Sequence, residues 1–325
     1  MREQWWEVTV ICPLALEDSV YWAFDELGCK GTASQTKDDR RIVTAYFPQV
    51  QFGEKDFEEL RYSLGVALPS QLLNITAQQA NTLLDTAASQ AGGLTTLPSV
   101  DISWQLIAEE DWAKSWKRHW KAEKIGDRLL INPAWMPPPQ TERTILTLDP
   151  GSAFGTGAHA TTQLCLEALE KQTLTGATIA DIGCGSGILS IVSLLYGAQQ
   201  AFATDVDPLA ISSTQSNAKM NGIGTDTLSV QLGSLPEIID MAEAAQLLPV
   251  DGIVCNILSE IIVGLIIPRL SELASPNTWG ILSGILTSKA AWVEEHLSAY
   301  GWRVTGTTHQ DEWCAMTIAL AASKE

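Results

Sequence analysis

Apolar and polar positions alternate in short runs along the first hundred residues, predicting strands at Trp6 to Cys12, Gly31 to Thr36, Arg41 to Phe47 and Asp101 to Ala108. Helical spacing predicts helices at Asp18 to Gly28, at about Lys55 to Val66 and at Thr76 to Gln90, and Lys37-Asp38-Asp39-Arg40 makes a polar turn. This order suits a small α+β sandwich of ferredoxin-like type. The stretch from Ala91 to Pro98, with Gly92-Gly93 near its start, has loop chemistry.

Between Glu109 and Trp120 acidic residues open the segment, basic ones close it, and Trp112, Trp116 and Trp120 recur every four residues. The segment is predicted as a dipole-matched amphipathic helix whose tryptophans pack against a domain. From Ile125 the period changes to strands alternating with helices, the mark of a parallel sheet built from βαβ units. Strands are predicted at Arg128 to Ile131, Thr178 to Asp181, Ala201 to Asp205, Leu228 to Leu232, Gly252 to Asn256 and Gly280 to Ser283. Helices are predicted at Gln163 to Leu169, Gly187 to Tyr196, Leu209 to Asn221 and Ser288 to Tyr300, before a closing antiparallel pair, Trp302 to Thr307 and Trp313 to Leu320. The chain therefore divides into residues 1–108, a linker helix at 109–124 and an α/β domain at 125–325.

With 325 residues, 46% of them hydrophobic and 18% charged, the chain is long enough for two folded domains and far from the composition of disorder. A net charge of −18 favours a basic partner over a phosphate backbone, so no direct nucleic-acid contact is expected. The N-terminal residues reach a carboxylate, Glu3, before any apolar run, so no signal peptide is expected and the setting is read as cytosolic. The apolar stretch from Ile253 to Leu270 is broken by Asn256, Glu260, Pro268 and Arg269, which argues for a buried strand and helix and against a membrane span. Six scattered cysteines, with no Cys-x-x-Cys pair, read as reduced thiols, and His119, His159, His296 and His309 form no metal constellation.

The strongest chemical signal follows the strand at Thr178: Asp181-Ile182-Gly183-Cys184-Gly185-Ser186-Gly187 opens an apolar helix. Such a turn brings backbone close to a ligand and aims helix N-terminal amides at it. A dinucleotide fingerprint would need glycine at position 188, where the chain has Ile188, so the spacing suits a nucleoside with an amino-acid tail. Asp205, ending the next strand, can accept both hydroxyl hydrogens of a ribose. Its alternative is to cap the following helix, although Asp207, directly before Pro208, is better placed for that. Asn256 ends a further parallel strand, where its carboxamide oxygen can hold an amine in line for displacement at an electrophilic carbon. Its alternative is also a helix cap. The segment Asp149 to Thr162, rich in glycine and hydroxyls, can fold over a bound group or simply turn into a capped helix, and His159 within it is a base or a structural side chain.

Taken together, Leu148 to Thr162 with its Phe154-Gly155-Thr156-Gly157-Ala158-His159-Ala160-Thr161-Thr162 core, Asp181 to Gly187, Asp205-Val206-Asp207-Pro208, Asn256-Ile257-Leu258 and Leu282 to Leu286 resemble the PrmA family, which methylates ribosomal protein L11. The resemblance implies a seven-stranded class I, Rossmann-like methyltransferase domain, an N-terminal ferredoxin-like domain that captures substrate, and S-adenosylmethionine as cofactor. It implies methylation of lysine side-chain and N-terminal α-amines of L11; the chain itself is read as a monomer. Carried over by position, Thr162, Gly183, Asp205 and Asn256 would contact the cofactor, with Gly185 in the same turn and Phe154, Gly155 and Thr156 closing nearby. Asn256 would also be the catalytic residue, and Trp313 would border the pocket. Residues 66–98 exceed the usual N-terminal domain, and Lys121 to Gly126 lacks a proline often found there. Two rival functions are a nicotinamide-dependent oxidoreductase, disfavoured by Ile188, and a non-catalytic ribosome-binding module.

Overall fold

The structure, a computed structural model, describes residues 4–13, 16, 20–21, 23–24, 27–29, 32–37, 40–60, 100–108, 121–149 and 157–321. Contacts group the chain into two units, residues 1–120 and 121–325. The helix expected at Thr76 to Gln90, the loop at 91–98 and the tryptophan segment at 109–120 lie outside the described residues.

In the first unit, β1 (Gln4–Pro13), β2 (Thr32–Lys37), β3 (Arg40–Pro48) and β4 (Asp101–Ala108) form an antiparallel sheet in the order β2-β3-β1-β4. Helix α1, described at residues 20–21 and 23–24, lies between β1 and β2 in the chain, and α2, at 54–60, follows β3. This βαββαβ order with its 2-3-1-4 sheet is the ferredoxin-like arrangement. Period-two alternation drives it: β1 buries Trp6, Val8, Val10 and Cys12 and turns the residues between them toward the other face. Phe24 from α1 and Phe57 from α2 meet Phe47 of β3, with ring centroids 5.9 and 5.3 Å apart, so both helices cover one face.

The second unit contains a seven-stranded sheet in the order β10-β9-β8-β11-β12-β14-β13. Its strands are β8 (Thr178–Ile182), β9 (Gln200–Asp205), β10 (Leu228–Leu232), β11 (Gly252–Asn256), β12 (Trp279–Leu286), β13 (Trp302–Gln310) and β14 (Trp313–Leu320). The pairs from β10 to β12 are parallel, and β14 runs antiparallel to both its neighbours. This is the class I, Rossmann-like methyltransferase sheet that the resemblance implied. Central strand β8 is buried throughout, as a strand covered by helices on both faces must be. Its Ile179 and Ile182 feed two separate apolar clusters, and each such burial stabilises the fold by roughly 1.5–3 kcal/mol.

Helix α3 (Ala160–Leu169) precedes β8, α4 (Ile188–Leu195) joins β8 to β9, α5 (Pro208–Met220) joins β9 to β10, and α6 (Leu235–Ala244) joins β10 to β11. The chain thus winds outward from β8 on one side and returns beside it as β11, leaving a switch-point crevice at the carboxyl ends of β8 and β11. After β11 the expected helix is present but irregular: one α turn, α7 (Ser259–Ile261), becomes a π segment at Ile262–Ile266 and a 3-10 segment at Ile267–Leu273. Pro268 has no N–H with which to continue the wider ladder. Helix α8 (Ala290–Ala299) precedes β13.

A second, three-stranded sheet joins β5 (Glu123–Ile125), β6 (Leu129–Pro133) and β7 (Thr144–Leu148). Glu123 and Lys124, read from the sequence as the end of the linker helix, belong to β5, and β7 was not anticipated. Among the described residues no helix is long and apolar enough to cross a membrane, and no group of acidic, cysteine or histidine side chains is placed to hold a metal.

Candidate active site

Gly183, Gly185 and Gly187 all have left-handed backbones, with φ of 76°, 55° and 79°. A Cβ on Gly183 would run into Ile257, and one on Gly187 into Thr214, so both sterics and dihedrals demand glycine. The turn is anchored from the neighbouring strand: the N–H groups of Gly183 and Cys184 donate to the Thr204 carbonyl at 2.8 and 2.9 Å.

Asp205 stands half-buried at the end of β9. One carboxylate oxygen accepts the Gly185 N–H at 2.9 Å and the other accepts the Asp207 N–H at 3.0 Å. Asp207 caps α5, accepting the Leu209 N–H at 2.8 Å, so the capping alternative for Asp205 is answered by its neighbour. Each oxygen of Asp205 retains a lone pair. Val206, next in the chain, is an exposed apolar residue that the sequence pattern gave no reason to single out.

Asp181 is buried beneath the turn. Burial pushes its carboxyl up to about 7, opposed by hydrogen bonds from the Ser190 hydroxyl (2.6 Å) and N–H (3.1 Å), with the nearby Asp205 adding to the rise. Both bonds reach Oδ2, and Oδ1 has no hydrogen-bond partner. Cys184, within the turn, is buried, and burial drives its thiol far above the usual range. Cys165 is likewise pushed up to about 12, first by burial. All six cysteines are free thiols.

Asn256, ending β11, donates from Nδ2 to the Thr162 hydroxyl at 3.3 Å, and its Oδ1 is buried with no partner. It caps nothing, because Leu258 is the N-cap of α7. Beside it Gly284 (φ 79°) lets β12 press against the Ile257 carbonyl, where a Cβ would collide. Parallel register pairs Asn256 with Ser283 and Val254 with Asp181, so the open amide oxygen and the buried carboxyl end neighbouring strands at the switch point.

Thr162 is buried in the first turn of α3. That helix is capped by His159, whose Nδ1 lies 3.3 Å from the Thr161 N–H and 2.8 Å from its hydroxyl, with the ring edge-on to Trp313 at 5.4 Å. Of the two alternatives for His159, the structure supports the cap. Gly157 packs on Ile131 at the end of the preceding segment; Phe154, Gly155 and Thr156 lie outside the described residues.

Residues 4–320 match the family model of ribosomal protein L11 methyltransferase (PrmA). The chain belongs to that family. Relatives named ribosomal protein L11 methyltransferase include one from Synechococcus elongatus, 43% identical over 316 residues, and one from Thermosynechococcus vestitus, 43% identical over 323. Each alignment covers 97% of both chains. A crystal structure of ribosomal protein L11 methylase from Lactobacillus delbrueckii is 31% identical with a TM-score of 0.56, covering 62% of this chain and all of that one. As a member of the L11 methyltransferase family the chain is an enzyme that uses S-adenosylmethionine, which removes both the oxidoreductase and the non-catalytic rivals.

Proposed function

We propose that this enzyme transfers methyl groups to lysine side-chain and N-terminal α-amines of ribosomal protein L11, with Asn256 as the residue that receives the amine. The reading is carried by one observation, the buried and unpartnered Oδ1 of Asn256. An orphaned buried acceptor costs roughly 1–3 kcal/mol unless a ligand supplies the donor. An amine N–H does so, and in accepting it Oδ1 aims the nitrogen lone pair away from the amide, toward the crevice. Thr162 holds the other end of the carboxamide.

The residues around the crevice suit S-adenosylmethionine. Asp205 would accept the ribose hydroxyls with its remaining lone pairs, Gly183 and Gly185 would let the chain approach closely, and Val206 would flank the base. Thr162 and Asn256 would border the reacting end, and Phe154, Gly155 and Thr156 are further candidate contacts carried over from the family resemblance. When bound, the cofactor supplies an electrophilic methyl group on its sulfonium.

The amine must arrive neutral. An N-terminal amine, with an ordinary pKa near 8, does so more readily than a lysine near 10.4, and leaving water for the crevice lowers both. His159 Nδ1 is committed to its cap, so the proton is assigned to solvent. The reading extends to a monomer working in the cytosol, with the N-terminal unit receiving the substrate; the chain's charge of −18 favours a basic protein there. Incubation with labelled S-adenosylmethionine and purified L11, followed by mass spectrometry, tests it: label on lysine and N-terminal amines is expected, and label absent from amines would overturn it. Sedimentation of the purified chain tests the monomer.

A further inference from the structure

Thr214 and Asn217 of helix α5 and Asn221, its C-cap, are polar residues on one face, a spacing of three and four residues that stacks them along the helix. Thr214 and Asn217 are buried. The Thr214 hydroxyl donates to the Gly185 carbonyl at 3.0 Å, and Asn217 Nδ2 donates to the Ser186 carbonyl at 2.9 Å. Asn217 Oδ1 accepts the N–H of Asp149 at 3.1 Å, at the residue following β7. Asn221 accepts the Thr147 N–H at 2.8 Å and donates to the Thr147 carbonyl at 2.7 Å and to the Asn217 carbonyl at 2.8 Å, so it reaches β7 but not the glycine turn.

Asn217 is therefore the one side chain of the three that bonds both the glycine turn and the residue leading into the segment upstream of α3. A backbone carbonyl on one side and a backbone N–H on the other are fixed in kind, so a single orientation of the carboxamide satisfies both. Holding the Ser186 carbonyl fixes the plane of the Ser186–Gly187 peptide, because carbonyl and N–H are rigidly opposed across a trans peptide bond. Holding the Asp149 N–H fixes where the chain leaves β7.

We infer that Asn217 is a positioning residue for the cofactor: it sets the distance between the glycine turn and the β7 exit, and so determines cofactor affinity while leaving the methyl-transfer step unchanged. The inference rests on the placement of S-adenosylmethionine against the glycine turn proposed above. Buried without touching the ligand, Asn217 acts through Ser186 and Asp149.

The test is titration of the full-length enzyme with S-adenosylhomocysteine, alongside kcat and KM and with folding checked by circular dichroism. Asn217→Ala should raise the Kd and the cofactor KM about tenfold, the loss of roughly one well-made hydrogen bond, with kcat within about twofold. Asn221→Ala should lower the melting temperature and leave the Kd within about twofold. Asn217→Asp gives the readout that a purely structural role would not move. Its ionised carboxylate can still accept the Asp149 N–H but faces the Ser186 carbonyl without a proton; once protonated it donates there as the amide does. Relative to wild type at each pH, its Kd defect should shrink severalfold between pH 8 and pH 5.5. A Kd for Asn217→Ala no higher than that for Asn221→Ala, or a defect in Asn217→Asp that ignores pH, would overturn the inference. Asp205→Ala separates the two levels of the argument: if it too leaves the Kd unchanged, the cofactor placement fails, and if it alone weakens binding, only the role of Asn217 fails.

Discussion

Two strand ends flank β8 at the crevice, and they are finished in opposite ways. At the end of β9 both oxygens of Asp205 are engaged by backbone N–H groups, from Gly185 and Asp207. At the end of β11 the oxygen of Asn256 is engaged by nothing, although its nitrogen is held by Thr162. On the reading proposed above, the charged acceptor would organise the wall that holds the cofactor, and the neutral one would be left open where the second substrate enters. The difference in charge fits the difference in task. A carboxylate at Asn256 would bind an ammonium ion and favour its protonated, unreactive form, whereas an amide accepts a hydrogen bond without that bias.

The comparison can be broken at either end. Removing Asp205 as Asp205→Ala deletes one charge-assisted bond to the turn, one to the Asp207 N–H and, on the reading proposed above, the ribose acceptor. The Kd for S-adenosylhomocysteine should rise about 100- to 10,000-fold, at roughly 1.5–3 kcal/mol for each of two ribose hydroxyl bonds. Asn256→Ala should act on the other quantity, lowering kcat about 100-fold through lost alignment while the cofactor Kd stays within about threefold. If instead the Kd moved and kcat did not, the two strand ends would have the same task. Gly284→Ala sharpens the point by disturbing Asn256 from beneath: a Cβ at φ 79° against the Ile257 carbonyl should cost about 1–3 kcal/mol in denaturant unfolding and reduce kcat more than cofactor affinity. The smallest effect is expected from His159→Ala, about 1 kcal/mol of stability from the lost cap with the pH profile of kcat unchanged. Loss of a limb from that profile would make His159 a base.

Much of this was readable in the sequence because it is written in local pattern. The central strands are continuous apolar runs, the three glycines mark a turn no other residue fits, and Asp205 and Asn256 close strands whose period is clear. Strand β7 was missed for a physical reason: Thr144 to Leu148 is only partly buried, follows the Pro137-Pro138-Pro139 stretch and pairs in a small side sheet. The π and 3-10 turns after α7 were illegible because Ile262 to Ile267 reads as an ordinary apolar helix until Pro268 intervenes. Asn217 and Asn221 were not singled out, since their partners Ser186, Asp149 and Thr147 are long-range and backbone, and no side-chain pattern announces them. Thr162 was read as a cofactor contact; its bond to Asn256 required the tertiary structure.

Cys184 sits in the turn that, on the reading proposed above, would face an alkylating agent. Thiolates are strong nucleophiles and thiols poor ones. Burial pushes this thiol upward, so on the proposed cofactor placement it would stay protonated and unreactive beside the sulfonium. On that placement the same dry packing that fixes the turn would also shield the protein from its own reagent, and a substitution that let water reach Cys184 would be expected to surface first as slow self-inactivation during turnover, detectable as a methylated cysteine.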